Sequence, residues 1–150
     1  MIQFVVFDYD GVFNDGNIIF NEKDEILKRY NIKDGKGLSL LKKNNIKIGL
    51  LSNFNSDKTL KFNELSIKNF KEHLNFDYFY IGNQNKLEIL DLWKSELNID
   101  YNEIAYIGDD INDISILEKV GLSACPNDAI SECKKVVDFI SEKKGGNGCV

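Results

Sequence analysis

Two aspartates, Asp8 and Asp10, end an apolar run and are followed at once by a glycine in the sequence FDYDG. Carboxylates at this spacing can divide the labour of one reaction. One is free to act as a covalent nucleophile, and the other can donate a proton to the leaving group. The pair therefore raises the hypothesis of covalent catalysis assisted by a general acid.

Polar side chains also follow three later apolar segments. They are Ser52 and Asn53 after the second segment, Lys86 at the start of the helix after the third, and Asp109, Asp110 and Asp113 after the fourth. Open α/β sheets bind ligands beyond the carboxyl ends of their strands, so we expect these groups to converge. Carboxylates crowded at one mouth repel each other unless a divalent cation holds them, and we therefore expect Mg²⁺.

A hard cation beside a lysine and a hydroxyl group suits a phosphoryl group. The phosphoryl oxygens need charge neutralisation, and the phosphorus needs in-line placement. The motifs therefore predict phosphoryl transfer, with the first two aspartates sharing the roles of nucleophile and proton donor. For Asp113, an N-terminal helix cap is the simpler alternative.

Short apolar segments alternate with amphipathic ones along the chain. The segments that we predict as buried strands are 3–7, 46–51, 76–81, 103–108 and 121–125. The helix-like segments are 34–44, 56–66, 85–98 and 111–120, and Trp93 in the third is expected in the core. This alternation predicts an α/β fold with a Rossmann-like, doubly wound parallel sheet.

Residues 17–31 depart from this alternation. They look like two strands around the polar turn NEKD, so we expect a β-hairpin insert, at about 12–31, between the first strand and its crossover helix. Such a hairpin can overhang a site at the end of the first strand. A solvated edge hairpin is the alternative.

The composition fits one domain over residues 1–150. Its residues are 43% hydrophobic and 29% charged, enough to bury one core. The net charge of −5 and the scattered lysines argue against nucleic-acid binding and favour a small-molecule partner. The opening residues lack a basic n-region, and no segment approaches the roughly 18 apolar residues of a membrane span. We therefore expect a cytoplasmic protein without a membrane partner.

The cysteines and the histidine predict no chemistry. Cys125, Cys133 and Cys149 form no CxxC pair and are odd in number, so we expect reduced thiols without a disulfide or a zinc site. His73 lies in a polar stretch without a second metal-binding side chain nearby, and we expect a solvated structural residue.

The motifs FDYDG, LLSN, NQNK and GDDIND together resemble, in order and spacing, the four motifs of the haloacid dehalogenase superfamily of aspartyl-phosphate phosphatases. Each motif alone is weak, whereas the set is specific. The resemblance implies Asp8 as the nucleophile and Asp10 as the general acid and base. It also implies that Asp8, Asp10 and Asp109 surround the metal, with Asp10 contributing its backbone carbonyl.

The same resemblance implies roles for the remaining motif residues. Ser52, Asn53 and Lys86 would bind the phosphoryl oxygens. Asp110 and Asp113 would support the site, and Asp113 would orient the metal's waters or Lys86 rather than ligate directly.

Longer stretches, including LKRYNIKDGKGLSLLK and AYIGDDINDISILEKVGLS, resemble the capless subgroup that contains 3-deoxy-D-manno-octulosonate 8-phosphate phosphatases and phosphatases of nine-carbon sugar acids. Neither interval between the motifs holds the roughly 50 residues of a small domain, which fits the absence of a cap. The resemblance implies a homotetramer whose hairpins pack together and whose neighbouring subunits cover the active sites.

Residues 34–37, DGKG, resemble the substrate-side loop of that subgroup. Gly35 and Gly37 would let the backbone approach a ligand, and Lys36 would meet an acidic sugar. An ordinary glycine turn is the alternative. The sequence GGNG at 145–148 resembles the subgroup's terminal glycine-rich segment.

The sequence departs from the octulosonate phosphatases after Ser52. Members of that group have a glycine and an arginine where this chain has Asn53 and Phe54. A phenyl ring cannot replace a guanidinium that pairs with a substrate carboxylate. A nine-carbon sugar acid phosphate or another phosphorylated sugar therefore competes with the octulosonate ester as the substrate.

A noncatalytic tetramerisation module, related to the domain fused to acylneuraminate cytidylyltransferases, is the rival interpretation. A phosphatase fold that has lost its activity has no physical need for a buried acidic cluster, yet Asp8, Asp10, Lys86 and Asp109 are all present. A phosphotransferase and a phosphomutase both share the aspartyl-phosphate step, but a mutase usually needs a cap. Hydrolysis is therefore favoured.

Overall fold

The structure is a computed structural model that describes residues 1–22, 26–53, 70–71 and 73–150. Its strands are β1 (Phe4–Phe7), β2 (Ile19–Phe20), β3 (Ile26–Leu27), β4 (Lys47–Asn53), β5 (Tyr78–Gly82), β6 (Ile104–Ile107), β7 (Leu122–Cys125) and β8 (Phe139–Ile140). Strands β2 and β3 form an antiparallel hairpin. The other six form one sheet in the order β5–β4–β1–β6–β7–β8, and all neighbouring pairs are parallel.

The strand order reverses between β1 and β6. The chain leaves β1 for β4 and β5 on one side and returns to the other side of β1 with β6. Sheets of this kind bind ligands at such a switch point, beyond the carboxyl ends of the strands. The predicted α/β, Rossmann-like, doubly wound fold is confirmed, and so are its five predicted strands, whereas β8 was not predicted.

Four α-helices with described bounds and two 3₁₀ turns accompany the sheet, and residues 70–71 and 73–74 are also helical. The four helices are α1 (Ile32–Lys43), α2 (Lys86–Leu97), α3 (Ile114–Leu117) and α4 (Ser131–Val136), with 3₁₀ turns at Tyr101–Glu103 and Ile111–Asp113. The predicted helix at 111–120 is therefore shorter, because the Gly121 N–H bonds to the carbonyls of Tyr101 and Ile104 and leads the chain into β7. The predicted helix at 56–66 lies outside the described residues.

Alternate residues of β1 face two hydrophobic clusters, one on each side of the sheet. Phe4 and Val6 pack in the cluster that contains Trp93, as predicted for that tryptophan. Val5 and Phe7 pack in the cluster of the opposite face. Both faces of β1 are thus buried, which holds the end of this strand and its two aspartates in place.

The predicted helix at 34–44 is present as α1, so the other interpretation of residues 34–37, a glycine loop or turn, was wrong. Gly35, Lys36 and Gly37 lie in the first turns of α1. The helix begins there because the Asn31 side chain caps it, accepting a hydrogen bond from the Lys33 N–H at 3.0 Å. An N-cap of this kind satisfies one of the free N–H groups of the first turn, which outweighs the low helix propensity of glycine.

The hairpin of β2 and β3 is present where the sequence predicted it. Residues 23–25, between the two strands, lie outside the described residues. The hairpin exposes a set of large apolar side chains, namely Ile18, Ile19, Phe20 and Leu27. The described residues form no cap domain, and none of their helices has the length and apolar character of a membrane-spanning segment.

The glycine-rich segment at 145–148 packs against the loop after β1 of the same chain. The Gly146 N–H donates to the Val12 carbonyl at 3.0 Å, and the Gly145 N–H donates to the Asp128 carboxylate at 2.9 Å. The Cys149 thiol also donates to the Val12 carbonyl. The segment therefore supports the loop that carries the first two aspartates. All three cysteines are free thiols, as predicted.

Candidate active site

A cavity of about 360 Å³ opens beyond the carboxyl ends of β1, β4 and β6. Six of the residues that the sequence pointed to line it together: Asp8, Asp10, Ser52, Asn53, Asp109 and Asp110. Lys86 and Asp113 are buried and adjoin it through their contacts with each other and with Asp8. The four strand ends therefore converge as the sequence predicted.

Lys86 is the first residue of α2 and lies between two carboxylates. Its Nζ is 2.9 Å from Oδ1 of Asp8 and 2.7 Å from Oδ1 of Asp113, and its side chain is 1% exposed. The position is fixed by the N-cap Asn85, whose side chain accepts from the Leu87 N–H. Burial opposes the charge of Lys86, but the two carboxylates together raise its pKa. The ammonium charge is therefore retained in the interior.

Asp113 accepts four hydrogen bonds and is completely buried. Its Oδ1 accepts from Lys86 and from the Tyr106 hydroxyl at 2.6 Å. Its Oδ2 accepts from the N–H groups of Asp109 at 3.0 Å and Asp110 at 3.2 Å. The predicted contact with Lys86 is therefore present, whereas the Asp113 side chain makes no cap hydrogen bond to α3 and instead closes the capping box of the preceding 3₁₀ turn.

Asp8 and Asp109 lie in an environment that disfavours their ionised forms. Burial, followed by the charge of Asp113, raises the pKa of Asp8 to about 7 against the opposing effect of Lys86. Burial, followed by the charges of Asp8 and Asp113, raises the pKa of Asp109 to about 8. One oxygen from each of these three carboxylates lies within 4.8 Å of the others. A positive charge at this point would relieve their repulsion.

Asp109 also has an unsatisfied oxygen. Its Oδ1 is buried and makes no hydrogen bond within the described part of the chain. Buried carboxylate oxygens are normally paired, so such an atom calls for an unseen partner. Together with the raised pKa values, it gives a donor set that fits a hard divalent cation.

Asp10 lies at the rim of the cavity, outside the group of three carboxylates. Its side chain is 37% exposed, and its Oδ1 accepts from Lys28 Nζ at 2.5 Å and from Asn14 Nδ2 at 2.9 Å. The carboxyl is thus held on one oxygen while it stays open to the cavity. Its role as a metal ligand concerns the backbone carbonyl and stays a prediction.

Two glycines allow the acids to approach one another. A Cβ on Gly11, whose φ is +81°, would lie 2.0 Å from Oδ2 of Asp109. A Cβ on Gly108 would lie 2.4 Å from Cγ of Asp113. Because no side chain fits at these distances, the glycines in FDYDG and IGDD are part of the site's geometry.

Ser52 and Asn53 end β4 at the cavity wall. Ser52 is buried, and the Asn53 amide donates to the carbonyls of Gly82 at 3.1 Å and Gln84 at 2.8 Å. The amide therefore braces the loop that leads to Lys86. Phosphate binding by Ser52 and Asn53 stays a prediction.

The predicted substrate-binding residues are not brought to this cavity. Gly35 lines a separate surface cavity with His73, and a Cβ on Gly37 would lie 3.3 Å from the Val150 carbonyl. Lys36 lies between them in α1. A contact between these residues and a substrate is therefore not part of the site that one chain forms.

Sequence reasoning missed three residues that contact the predicted site. Tyr106 had a usable signal, because a tyrosine in a buried strand needs a partner for its hydroxyl. Asn14 lies four residues after Asp10, close enough to be considered. Lys28 had no local signal, because only the hairpin brings it across 18 positions to Asp10.

Comparison with known proteins identifies the family. Residues 2–150 match the haloacid dehalogenase-like hydrolases. The chain belongs to this family. The match covers almost the whole chain and confirms the resemblance that the four motifs indicated.

The similar proteins are phosphatases. The 3-deoxy-D-manno-octulosonate 8-phosphate phosphatase of Escherichia coli strain K12 is 29% identical over 149 residues, which are 99% of this chain and 75% of the relative. That of Salmonella typhi is 30% identical with the same coverage. The structure of the Moraxella catarrhalis enzyme with a magnesium ion, a phosphate ion and KDO gives a TM-score of 0.88 at 28% identity, covering 99% of this chain and 81% of the other. This chain is thus a phosphatase, as predicted.

Proposed function

We propose that this phosphatase is a Mg²⁺-dependent phosphomonoester hydrolase that acts through an aspartyl-phosphate intermediate on a phosphorylated sugar acid. The observation that carries the proposal is the contrast between two aspartates in one cavity. Asp8 is buried with its Oδ1 2.9 Å from the ammonium of Lys86, whereas Asp10 stands at the rim with its side chain partly exposed. The first suits a nucleophile held against a cation, and the second suits a proton carrier with access to the leaving group.

The residues fit a divalent cation. Asp109 offers a buried oxygen without a hydrogen-bond partner in the described ranges, and Asp8 lies in the same group of carboxylates. Asp113 already accepts four hydrogen bonds and is left to support the site. We assign the cation to Asp8, Asp109 and the backbone carbonyl of Asp10. When bound, Mg²⁺ would neutralise charge on the phosphoryl oxygens and favour the ionised form of the nucleophile.

The reaction proceeds in two steps with these roles. In the first, a carboxylate oxygen of Asp8 attacks phosphorus, the bond from phosphorus to the ester oxygen breaks, and Asp10 gives that oxygen its proton. In the second, a water oxygen attacks phosphorus while Asp10 accepts the water's proton, and the bond to Asp8 breaks to release phosphate. Lys86 and the Ser52 hydroxyl hold the phosphoryl oxygens in both steps, where fixed positive charge stabilises the transition state.

The substrate class is proposed from the relatives. Those with 29–30% identity carry the name of the octulosonate 8-phosphate phosphatase. Asn53 and Phe54 stand where that group has a glycine and an arginine, so a nine-carbon, acylneuraminate-type 9-phosphate is an equal candidate. Both are phosphate esters of acidic sugars that carry a carboxylate.

The cavity's own charge supports a homotetramer. Every charged side chain that lines it in the described ranges is an aspartate. The nearby Lys28 and Lys86 are already paired with aspartates, so a substrate carboxylate would be repelled there unless a further cation came from elsewhere. We propose that a neighbouring subunit contributes it and that the apolar side chains of the hairpin pack in the interface. A cytoplasmic location, expected from the sequence, belongs to the same proposal.

The test of function is Mg²⁺-dependent phosphate release from a panel of sugar, sugar-acid and nucleotide monophosphates. The Asp8→Asn protein serves as the matched blank, since it keeps the shape of the side chain but removes the nucleophile. We expect release that is confined to eight- or nine-carbon sugar acid phosphates and abolished in the variant. Substantial turnover by Asp8→Asn contradicts the nucleophile, and no release by folded, metal-loaded wild type favours the noncatalytic tetramerisation module.

The test of assembly is the molar mass in solution by light scattering. We expect a tetramer that Phe20→Glu dissociates, because Phe20 is 60% exposed on the hairpin and a charge there disfavours burial. Leu92→Glu is the matched control, since Leu92 is equally exposed on α2, away from the hairpin. A monomeric wild type, or dissociation by the control alone, contradicts the proposed interface.

A further inference from the structure

A buried lysine of the hairpin reaches Asp10. Lys28 follows β3 directly, and its side chain is only 3% exposed although Leu27 and Arg29 on either side are exposed. Its Nζ lies 2.5 Å from Oδ1 of Asp10 and 6.0 Å from the centre of the Tyr9 ring. The hairpin therefore contributes a cation to the rim of the active site within the same chain.

The Oδ1 atom of Asp10 is held from two directions. Asn14, in the loop after β1, donates to the same oxygen through Nδ2 at 2.9 Å. Asn14 is completely buried, and its own Oδ1 accepts from the Gly16 N–H at 2.8 Å, which fixes the amide. A carboxyl group held at one oxygen by two donors has a restricted orientation, and its other oxygen is left for proton exchange.

A charged residue at position 28 is not needed to anchor the hairpin to the rest of the chain. Tyr30, two residues later, already packs against Phe70 with ring centres 4.6 Å apart and contacts Tyr9 through the two hydroxyl groups. An ion pair with a buried ammonium group is in general no more stabilising than apolar side chains of similar volume. The ammonium group at this position therefore points to a task at Asp10.

We propose that Lys28 is a positioning residue for proton transfer, which holds Oδ1 of Asp10 so that Oδ2 serves the leaving oxygen and then the attacking water. The inference rests on the proposed role of Asp10 as general acid and base. No bond to Lys28 forms or breaks in either step. Loss of Lys28 is therefore expected to slow turnover most where the leaving group depends most on protonation.

The test compares two esters with different leaving groups. One is p-nitrophenyl phosphate, whose phenolate leaves with little help from an acid, and the other is the sugar phosphate that the wild type hydrolyses fastest. We expect Lys28→Met to lower kcat about 10- to 100-fold on the sugar phosphate but less than about 3-fold on the aryl ester, with KM nearly unchanged. Lys28→Arg is expected to recover part of the loss.

The matched control is Arg29→Met, which removes the next cation in the hairpin. Arg29 is largely exposed and pairs with Asp15 at 3.3 Å, so both esters should be hydrolysed at nearly the wild-type rate. If thermal unfolding shows that the Lys28→Met protein does not fold, the same comparison is made with Lys28→Gln. In an Asp10→Asn background, Lys28→Met should cause no further change in leaving-group dependence, because the group it positions is absent.

Several results would overturn the inference. Equal losses on both esters would make Lys28 a structural residue, and a raised KM with unchanged kcat would make it a substrate-binding residue. A further leaving-group effect in the Asp10→Asn background would show that Lys28 acts elsewhere. If Asp10→Asn slows the sugar phosphate more than the aryl ester and Lys28→Met does not, this inference is wrong but the proposed function stands. If the wild type hydrolyses none of the esters, both the proposed function and this inference are wrong.

Discussion

Two buried lysines contact the two predicted catalytic aspartates, and they come from different parts of the fold. Lys86 starts a capped helix after a central strand and lies between two carboxylates, Asp8 and Asp113. Lys28 follows a two-residue strand of the hairpin and contacts one carboxylate, Asp10, which is 37% exposed. The first lysine belongs to the core of the sheet and the second to an insertion.

The two ion pairs differ in how far water can reach the carboxylate. Removal of Lys86 would leave two carboxylates buried without a cation, which is costly in an interior of low dielectric. Removal of Lys28 would leave Asp10 in contact with water, which can take over much of the solvation. The fold therefore depends on the first pair, whereas loss of the second pair should cost less stability.

Lys86→Met is expected to have the largest effect. It should lower the free energy of unfolding by about 3–5 kcal/mol, since it strands two buried carboxylates. Phosphate release should fall at least about 100-fold, because the cation proposed to hold the phosphoryl oxygens is lost. Urea unfolding and steady-state kinetics measure the two effects separately.

Lys28→Met is the comparison for that experiment. It should cost no more than about 1–2 kcal/mol of stability, because its partner is partly solvated. Equal destabilisation by the two substitutions would contradict the contrast between an ion pair in the core and a partly solvated one.

Asp109→Asn is expected to have the next largest effect, on the response to Mg²⁺. Without metal, the variant should unfold at a temperature about 2–4 °C higher than the wild type, because it relieves repulsion among three clustered acids. Saturating Mg²⁺ should raise the unfolding temperature of the wild type but not that of the variant, since binding to the folded state stabilises it. Thermal scans with and without Mg²⁺ measure both effects.

Asp128→Asn is the control for the metal experiment. Asp128 lines the same cavity but does not belong to the group of three carboxylates, so its variant should keep the Mg²⁺ response. An unchanged response in Asp109→Asn would move the cation away from the predicted site.

Tyr106→Phe is expected to have a smaller effect on the same network. Its hydroxyl is one of four donors to Asp113, and loss of this bond should cost about 1–2 kcal/mol. Turnover should change by less than about 5-fold, because Lys86 keeps its contacts with both carboxylates. A loss of turnover comparable with that of Lys86→Met would mean that Asp113 needs all four donors to position the lysine.

The sheet and its polar strand ends could be predicted because their signals are local. A buried parallel strand is an apolar run, and the group that follows it lies at the carboxyl edge. The two-residue strand β8 and the six-residue helix α4 are too short to show a period, so they were missed. The helix at 34–44 was predicted, but its start was placed too late and its glycines were also interpreted as a loop, because the Asn31 cap was not considered.

For the site, the sequence could predict only the residues that directly follow a strand. Asp8 and Asp109 follow from that rule, whereas Lys28 reaches Asp10 through a hairpin whose path the sequence does not specify. The pairing of Tyr106 with Asp113 depends on which face of β6 the tyrosine occupies. Contacts between elements, rather than the elements themselves, were therefore the part that needed the structure.

Asp34 provides a third case, a buried carboxylate without a lysine. It is 2% exposed in α1, and no lysine or arginine of the described ranges lies within ion-pair distance. Its Oδ1 accepts from the Val150 N–H at 3.0 Å, while its Oδ2 has no hydrogen-bond partner in those ranges. Burial raises its pKa from 3.8 to about 6.

Asp34→Asn should therefore stabilise the chain slightly, and only where the wild-type carboxyl is ionised. Because the folded pKa lies above the usual value, the wild type loses stability as the pH rises from about 4 through about 6. The variant should be more stable by about 1 kcal/mol at pH 8 and by about half as much near pH 5, and the gain should vanish at about pH 3, where the wild-type carboxyl is mostly neutral in both the folded and the unfolded state. Asp138→Asn is the control, because hydrogen bonds from Ser123 lower the pKa of Asp138, so this variant should lose stability at pH 8, and the loss should shrink as the pH falls. A gain from Asp34→Asn that persists at pH 3 would show that Asp34 is limited by shape rather than charge, and a buried carboxylate would then not need the cation that Lys86 and Lys28 provide to their partners.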